Sequence, residues 1–264
     1  MMHNTKIFLF FITLMTFSSL PGMSIKQSWA EEELIVSAAA SLTNVMTAAK
    51  EVFQSSNPDV RLTFNFASSG SLYQQIKHGA PVDMYVSANQ YFMDRAEDDG
   101  LILKNTRTDF TANKLVLIVP FNSGHSLTKL TALKKANIQR IAVGQPQTTP
   151  VGRYAKKALL HHDLWDTLED KLIFGNSVRQ ILDYTVRGEV DAGFVYASDV
   201  LAVKGKVRVM MTVGNVGPIV YPIAVTASSP HPDTAIRFIR FLTDTTGQRI
   251  LHQYGFIGLE KETP

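Results

Sequence analysis

Short apolar runs alternate with amphipathic segments along the chain from residue 34 onwards. Runs rich in Val, Ile and Phe predict strands at 34–37, 60–66, 84–87, 114–120, 141–144, 171–174, 192–196, 207–213 and 221–225. Apolar positions at helical spacing predict helices from about 42, from about 68 to 79, and at 90–98, 151–161, 177–187, 232–243 and 246–254. This repeated order predicts an α/β fold with mostly parallel sheets flanked by helices.

The polar stretch at 104–113 is predicted to be a loop, where the chain crosses from one lobe to another. A first lobe is expected to begin with residues 31–112, and residues 113–219 form a second lobe. The late strand and the two terminal helices, within 220–264, are expected to return to the first lobe.

The first thirty residues have the pattern of a secretory signal peptide. Lys6 precedes an apolar run at 7–20, and the small residues Ser28 and Ala30 flank Trp29 as a cleavage site. Cleavage near Ala30 would release the remaining chain to the periplasm. Because the chain contains no cysteine, it can carry neither a disulfide nor a lipid anchor on an N-terminal cysteine.

Removal of this leader takes away Lys6 and Lys26 and no acidic residue, which leaves 24 basic against 23 acidic residues. Proteins that bind nucleic acid usually carry a clear basic excess. The near-neutral charge therefore argues against nucleic acid as a partner.

At four places a predicted strand ends in small or hydroxyl residues and a helix begins. These junctions are 38–41, 67–71, 148–152 and 175–178. Helix starts offer unpaired N–H groups and the positive end of the helix dipole, so four of them converging on one point would bind an anion. Ser, Thr and Asn are also the common helix caps, and for any one junction taken alone capping is the favoured explanation.

Several segments carry a resemblance to the periplasmic molybdate-binding proteins. They are AAASLT (38–43), FASSGSL (66–72), GAPVD (79–83) with Ser87-Ala88, PVGRYA (150–155), NSVR (176–179) and GFVYASD (193–199). Together they cover essentially the whole chain after the leader, in order. The resemblance implies a type II periplasmic-binding-protein fold with two lobes joined by two crossovers.

The resemblance also implies a ligand and a binding site. Molybdate or tungstate would be held as an oxyanion without direct metal ligation, and delivered to the membrane permease subunits of an ABC transporter. The implied donors are the hydroxyls and backbone of Ser41 and Ser69, the backbone N–H groups of Val151 and Val178, and the Tyr196 hydroxyl. The protein would be a monomer with no cofactor and no catalytic residue.

Two positions differ from the family pattern: Val151 stands where alanine is frequent, and Asn89 where aspartate is frequent. The larger Val151 side chain affects the expected pocket volume. Arg153 and Arg179 lie next to proposed donors, and we interpret them as salt-bridging or packing residues.

Two other functions remain open from the sequence. The first is a receptor for another oxyanion such as sulfate or phosphate, or for a small organic anion. A cage made only of donors suits an unprotonated oxyanion, because a bound O–H would find no acceptor. The second is a secreted hydrolase, although no Gly-x-Ser-x-Gly motif or other base–nucleophile pattern is present.

Overall fold

The computed structural model describes residues 31–259. The predicted signal peptide and its cleavage site lie outside these residues. Between residues 31 and 259, no helix is both long and apolar enough to cross a membrane.

Within these residues the chain forms two five-stranded sheets and the helices that cover them. The strands are β1 (Glu32–Ala39), β2 (Val60–Ala67), β3 (Met84–Val86), β4 (Thr108–Asn113), β5 (Leu115–Pro120), β6 (Ile141–Gly144), β7 (Leu172–Gly175), β8 (Ala192–Tyr196), β9 (Val207–Thr212) and β10 (Ile219–Val225). The α-helices are α1 (Thr43–Ser56), α2 (Ser69–Lys77), α3 (Gln90–Asp98), α4 (Pro150–His161), α5 (Val178–Val186), α6 (Ala197–Leu201), α7 (Pro232–Thr243) and α8 (Thr245–Gln253). Short segments of 3-10 helix lie at Ala40–Leu42, Lys104–Thr106, Leu130–Lys134 and Asp166–Lys171.

The first sheet has the order β2-β1-β3-β10-β4 and the second the order β7-β6-β8-β5-β9. The chain passes from the first sheet to the second between Asn113 and Leu115, and it returns between Thr212 and Ile219. Each sheet with its helices forms one lobe. The predicted α/β class, the two lobes and the two crossovers are confirmed.

The two sheets are more evenly mixed than predicted. Strands β1, β2 and β3 pair in parallel, as do β6, β7 and β8, whereas β10 and β5 pair antiparallel with both of their neighbours. Strands β5 and β10 each arrive from the other lobe, so they enter their sheet at the edge where its parallel strands end. They therefore run in the opposite direction to those strands.

The predicted loop at 104–113 is wrong, because it contains strand β4. The side chains of Phe110 and Thr111 are buried, and β4 pairs with β10 across the sheet. The hydroxyl of Thr111 donates to the carbonyl of Ile257 at 3.0 Å. In the sequence, the polar residues of this segment suggest an exposed loop. In the fold they are hydrogen-bonded to residues that are distant in the chain. The short helix α6, directly after β8, was not predicted either.

The buried carboxylate of Asp83 connects two segments of the first lobe. Its Oδ2 atom accepts the backbone N–H of Ile35 at 2.8 Å, and its Oδ1 atom accepts the Ser229 hydroxyl at 2.6 Å. Since Asp83 is only 4% exposed, water cannot readily replace it as an acceptor. The side chain therefore holds β1 to the segment that follows β10.

We expect Asp83→Ala to lower the free energy of unfolding by about 1–3 kcal/mol, because it leaves a buried donor unpaired. Urea denaturation measures this loss. The matched control is Asp98→Ala on the exposed end of α3, with an expected change within about 0.5 kcal/mol. Equal stability of the two variants would contradict this role for Asp83.

Candidate functional site

The four strand-to-helix junctions lie at the carboxyl-terminal ends of the parallel strands in the two sheets. In the first sheet, Ala39 at the end of β1 is paired with Ala67 at the end of β2. In the second sheet, Gly144 at the end of β6 is paired with Gly175 at the end of β7. Parallel neighbours end at the same edge, so each sheet brings two junctions together.

These junctions line one small cavity between the lobes, with about 10 Å³ of space open to the centre of a water-sized molecule. All five residues predicted as oxyanion donors line it. The first lobe contributes Ser41 and Ser69, and the second contributes Val151, Val178 and Tyr196. The remaining lining residues are small or apolar, apart from two hydroxyl side chains: Ala39, Ala40, Ser68, Ala88, Thr149 and Pro150.

Helix capping at these junctions is carried out by neighbouring residues, not by the predicted donors. The side chain of Ser68 caps α2, that of Thr149 caps α4 and that of Ser177 caps α5. Stability of the helix ends therefore explains these three residues. It does not explain the hydroxyls of Ser41 and Ser69, which are buried without capping a helix.

Backbone donors also face this region. Ser69 and Val178 are the first residues of α2 and α5, and Val151 is the second residue of α4. Their N–H groups belong to the first helical turn and have no intrahelical partner. Among the described residues, no other acceptor lies within hydrogen-bonding distance of them.

The position of Val151 depends on a close approach between α4 and β6. A Cβ atom added to Gly152 would collide with the backbone of Gly144, so the first turn of α4 lies directly against the end of β6. Glycine at both positions is what permits this contact. The contact brings the N-terminal end of α4 to the cavity wall.

Tyr196 is the last residue of β8 and is only 1% exposed. Its hydroxyl has no hydrogen-bond partner within residues 31–259. Burial raises the pKa of Tyr196 well above its ordinary value, so the hydroxyl keeps its proton and remains a donor. A buried unpaired hydroxyl costs about 1–3 kcal/mol, which indicates that this group is adapted to an acceptor in the cavity.

Direct contacts join the lobes around the cavity. The N–H of Gly70 in α2 donates to the carbonyl of Thr148 at 2.9 Å. The guanidinium of Arg179 donates to the carbonyl of Ala40 at 3.2 Å and to Asn44 Oδ1 at 3.0 Å. These contacts describe a closed arrangement of the two lobes.

The two arginines next to the predicted donors do not line the cavity. Arg153 lies over the ring of Tyr91, 3.5 Å from the ring centre, and so also connects the lobes. Arg179 forms an ion pair with Asp199 at 3.5 Å. Their interpretation as packing and salt-bridging residues agrees with these contacts.

The sequence profile of the bacterial extracellular solute-binding proteins matches residues 34–257. The chain belongs to this family. This match, together with relatives of 31–37% identity that are named molybdate-binding proteins, confirms the resemblance predicted from the sequence motifs.

Three known proteins illustrate the relationship of this solute-binding protein to its relatives. YvgL of Bacillus subtilis, named as a candidate ABC transporter substrate-binding lipoprotein, is 34% identical over 257 residues and covers 95% of this chain and 98% of its own. The molybdate-binding protein ModA of Escherichia coli is 37% identical over 234 residues, with coverage of 86% and 89%. The structure of the periplasmic molybdate-binding protein of Azotobacter vinelandii superimposes with a TM-score of 0.79 at 23% identity, with coverage of 86% and 100%. This last likeness shows the fold.

Asp199 is a charged residue near the site whose role was not predicted from the sequence. Burial raises the pKa of Asp199 to about 7, although the positive charge of Arg179 acts in the opposite direction. Burial thus disfavours the charged form of this carboxyl, and Arg179 offsets the charge that remains. Residues 179 and 199 meet only through the packing of α5 on α6, and no local motif links them.

We expect Tyr196→Phe in this solute-binding protein to leave the free energy of unfolding of the ligand-free protein unchanged or higher. The substitution removes a buried hydroxyl that has no protein partner. Thermal unfolding measures the effect.

Tyr73→Phe is the matched control, because Tyr73 is equally buried but its hydroxyl donates to Asp99 at 2.5 Å. This control should lose about 0.5–1.5 kcal/mol. A larger loss for Tyr196→Phe than for Tyr73→Phe would show that the Tyr196 hydroxyl has a structural partner.

Proposed function

We propose that this protein binds molybdate or tungstate in the cavity between its lobes and delivers the anion to the membrane permease of an ABC importer. The carrying observation is the buried Tyr196 hydroxyl, which has no acceptor among residues 31–259 and lines the same cavity as the other predicted donors. ModA of Escherichia coli, at 37% identity, is named for molybdate binding and supports this choice of ligand.

The proposed site is a cage of donors around a tetrahedral anion. The Ser41 and Ser69 hydroxyls and backbone donate from the first lobe. The N–H groups of Val151 and Val178 and the Tyr196 hydroxyl donate from the second. Helix N-termini stabilise negative charge through their unpaired N–H groups and dipoles, so no cationic side chain is needed.

The size of the cavity supports a small inorganic ligand. Its volume, taken as the space open to the centre of a water-sized molecule, is about 10 Å³, far below the roughly 300–1,000 Å³ of sites for drug-sized molecules. A cavity of this size favours a small inorganic anion over an organic solute.

The lobes are proposed to move as two units, one formed by residues 31–112 with 220–264 and the other by residues 113–219. An anion that contacts donors on both lobes stabilises the closed form relative to the open one. The permease would then recognise the closed surface of a monomeric binding protein.

No catalytic step is part of this proposal. The Ser41 hydroxyl contacts the Tyr221 hydroxyl, and the Ser69 hydroxyl accepts the N–H of Ala88. Within the described part of the chain, neither serine contacts a histidine or a carboxylate, which a hydrolase nucleophile requires as its base.

The proposed location is the periplasm, with residues 1–30 removed as a signal peptide near Ala30. The absence of cysteine from the whole sequence leaves no acceptor for a cysteine-linked lipid. Its Bacillus subtilis relative YvgL, by contrast, is named as a lipoprotein.

The proposal is tested by calorimetric titration of the protein lacking residues 1–30 with molybdate, tungstate, sulfate and phosphate. Molybdate and tungstate should bind, and Ser41→Ala and Ser69→Ala should each weaken binding by about 5- to 150-fold. This range corresponds to about 1–3 kcal/mol for a lost hydrogen bond to a charged acceptor.

Ser123→Ala, in the loop after β5, is the control and should not change the affinity. Absence of heat with molybdate and tungstate would overturn the proposed ligand. Equal or tighter binding of sulfate would favour a receptor for a different oxyanion in the same site.

We also expect Gly70→Ala to hinder closure. A Cβ atom at this position would lie 2.6 Å from the carbonyl oxygen of Thr148 in the other lobe and 2.7 Å from the ring of Phe92. Molybdate affinity should fall at least tenfold, and the radius of gyration in small-angle X-ray scattering should decrease less on adding molybdate than in the wild type.

Gly124→Ala is the matched control, because a Cβ atom there meets no atom within 4 Å. Urea denaturation of both variants separates hindered closure from a general loss of stability. Wild-type affinity and wild-type compaction in Gly70→Ala would contradict the proposed closure.

A further inference from the structure

A chain of buried hydrogen bonds leads from the first crossover to Ser41. It starts at Asn113, the last residue of β4, whose Oδ1 atom accepts the N–H of Lys114 at 2.9 Å. The Asn113 Nδ2 atom lies 2.8 Å from Ser198 Oγ and 3.4 Å from the Tyr221 hydroxyl. Because a backbone N–H can only donate, this bond to Lys114 determines which end of the Asn113 amide faces Tyr221.

The amide then determines the direction of the next bond. Nδ2 can only donate, so the Tyr221 oxygen accepts from it. Tyr221 is fully buried, and the other group within hydrogen-bonding distance of its hydroxyl is Ser41 Oγ at 3.1 Å. The single Tyr221 proton is therefore donated to Ser41.

Ser41 in turn accepts from Tyr221 and has its own proton left to donate. Within residues 31–259, no other acceptor lies within hydrogen-bonding distance of the Ser41 hydroxyl, which lines the cavity. Ser69 shows the same arrangement, because its Oγ atom accepts the N–H of Ala88 at 3.0 Å. Each of the two serine oxygens thus accepts a hydrogen bond from the protein. The proton of each hydroxyl remains to be donated to the ligand.

We propose that Asn113 and Tyr221 are specificity-determining residues, which direct the Ser41 proton into the cavity and thereby exclude protonated oxyanions. This inference rests on the proposed function. Neither residue lines the cavity, so both act through Ser41. A hydrogen phosphate ion would place its O–H against the Ser41 proton, whereas molybdate and sulfate at neutral pH present only acceptors.

Tyr221 also packs against the rings of Tyr196 and Phe256, with centroids 6.0 and 5.5 Å away. A purely structural role for Tyr221 would affect the binding of all anions alike. The proposed role changes the order of affinities among the anions. Without the Tyr221 hydroxyl, the Ser41 oxygen can accept a hydrogen bond from an O–H of the ligand. Selectivity is therefore the readout that separates the two roles.

The experiment is a competition titration of wild type, Tyr221→Phe and Tyr73→Phe, with molybdate as the bound ligand. Phosphate, at mildly alkaline pH where it carries one proton, and sulfate are the competitors, and they are similar in size. In Tyr221→Phe, phosphate should displace molybdate at concentrations at least tenfold lower than in wild type, while the sulfate concentration changes less than threefold. Tyr73→Phe should behave as wild type for both anions.

Asn113→Ala provides a second variant that keeps the Tyr221 ring in place. Without the Nδ2 donor, Tyr221 can accept from Ser41, so the same preferential gain for phosphate is expected. Thermal unfolding identifies any variant that fails to fold.

Equal changes for phosphate and sulfate, or no change in either, would overturn the role of Asn113 and Tyr221. The direct titration of wild type with molybdate reports separately on the proposed function. If wild type binds molybdate and the order of the competitors is unchanged in both variants, only the present inference fails.

Discussion

The Tyr196 hydroxyl and the backbone N–H groups of Ser69, Val151 and Val178 belong to residues that line one small cavity, and the described protein supplies no acceptor for them. Desolvated donors are costly when they remain unpaired. The rest of the site can be understood from this constraint. The caps Ser68, Thr149 and Ser177 satisfy other donors of the same helices, and the groups left over are those that an oxyanion would satisfy.

The topology explains why donors from two lobes converge. Parallel pairing places the ends of β1 and β2 together, and likewise the ends of β6 and β7. The two crossovers leave and enter the sheets at these same edges, so the connection between the lobes lies beside the cavity. Asn113 lies at this point. It is the last residue of β4, at the crossover, and it is hydrogen-bonded to Ser198 of the second lobe.

The sequence predictions failed where the structure depends on contacts between residues that are distant in the chain, and the site depends on such contacts too. The segment 104–113 reads as a loop because its polar residues show no apolar run, yet Thr111 and Asn113 are buried and hydrogen-bonded to distant residues. Helix α6 was missed because it is only five residues long. Mixed pairing in the sheets was missed because strand direction depends on the edge at which a crossover enters, which local patterns do not record.

The sequence by itself determined the α/β class and most helix and strand positions, because periodicity is a local feature. Its resemblance to the molybdate-binding proteins pointed to five of the residues that line the cavity. The tertiary structure decided which polar groups pair with one another. Asp199 meets Arg179, and Tyr221 meets Ser41 from 180 residues away. Such partners come together only when both lobes are packed, so the direction of each proton in the cavity wall is a property of the folded molecule.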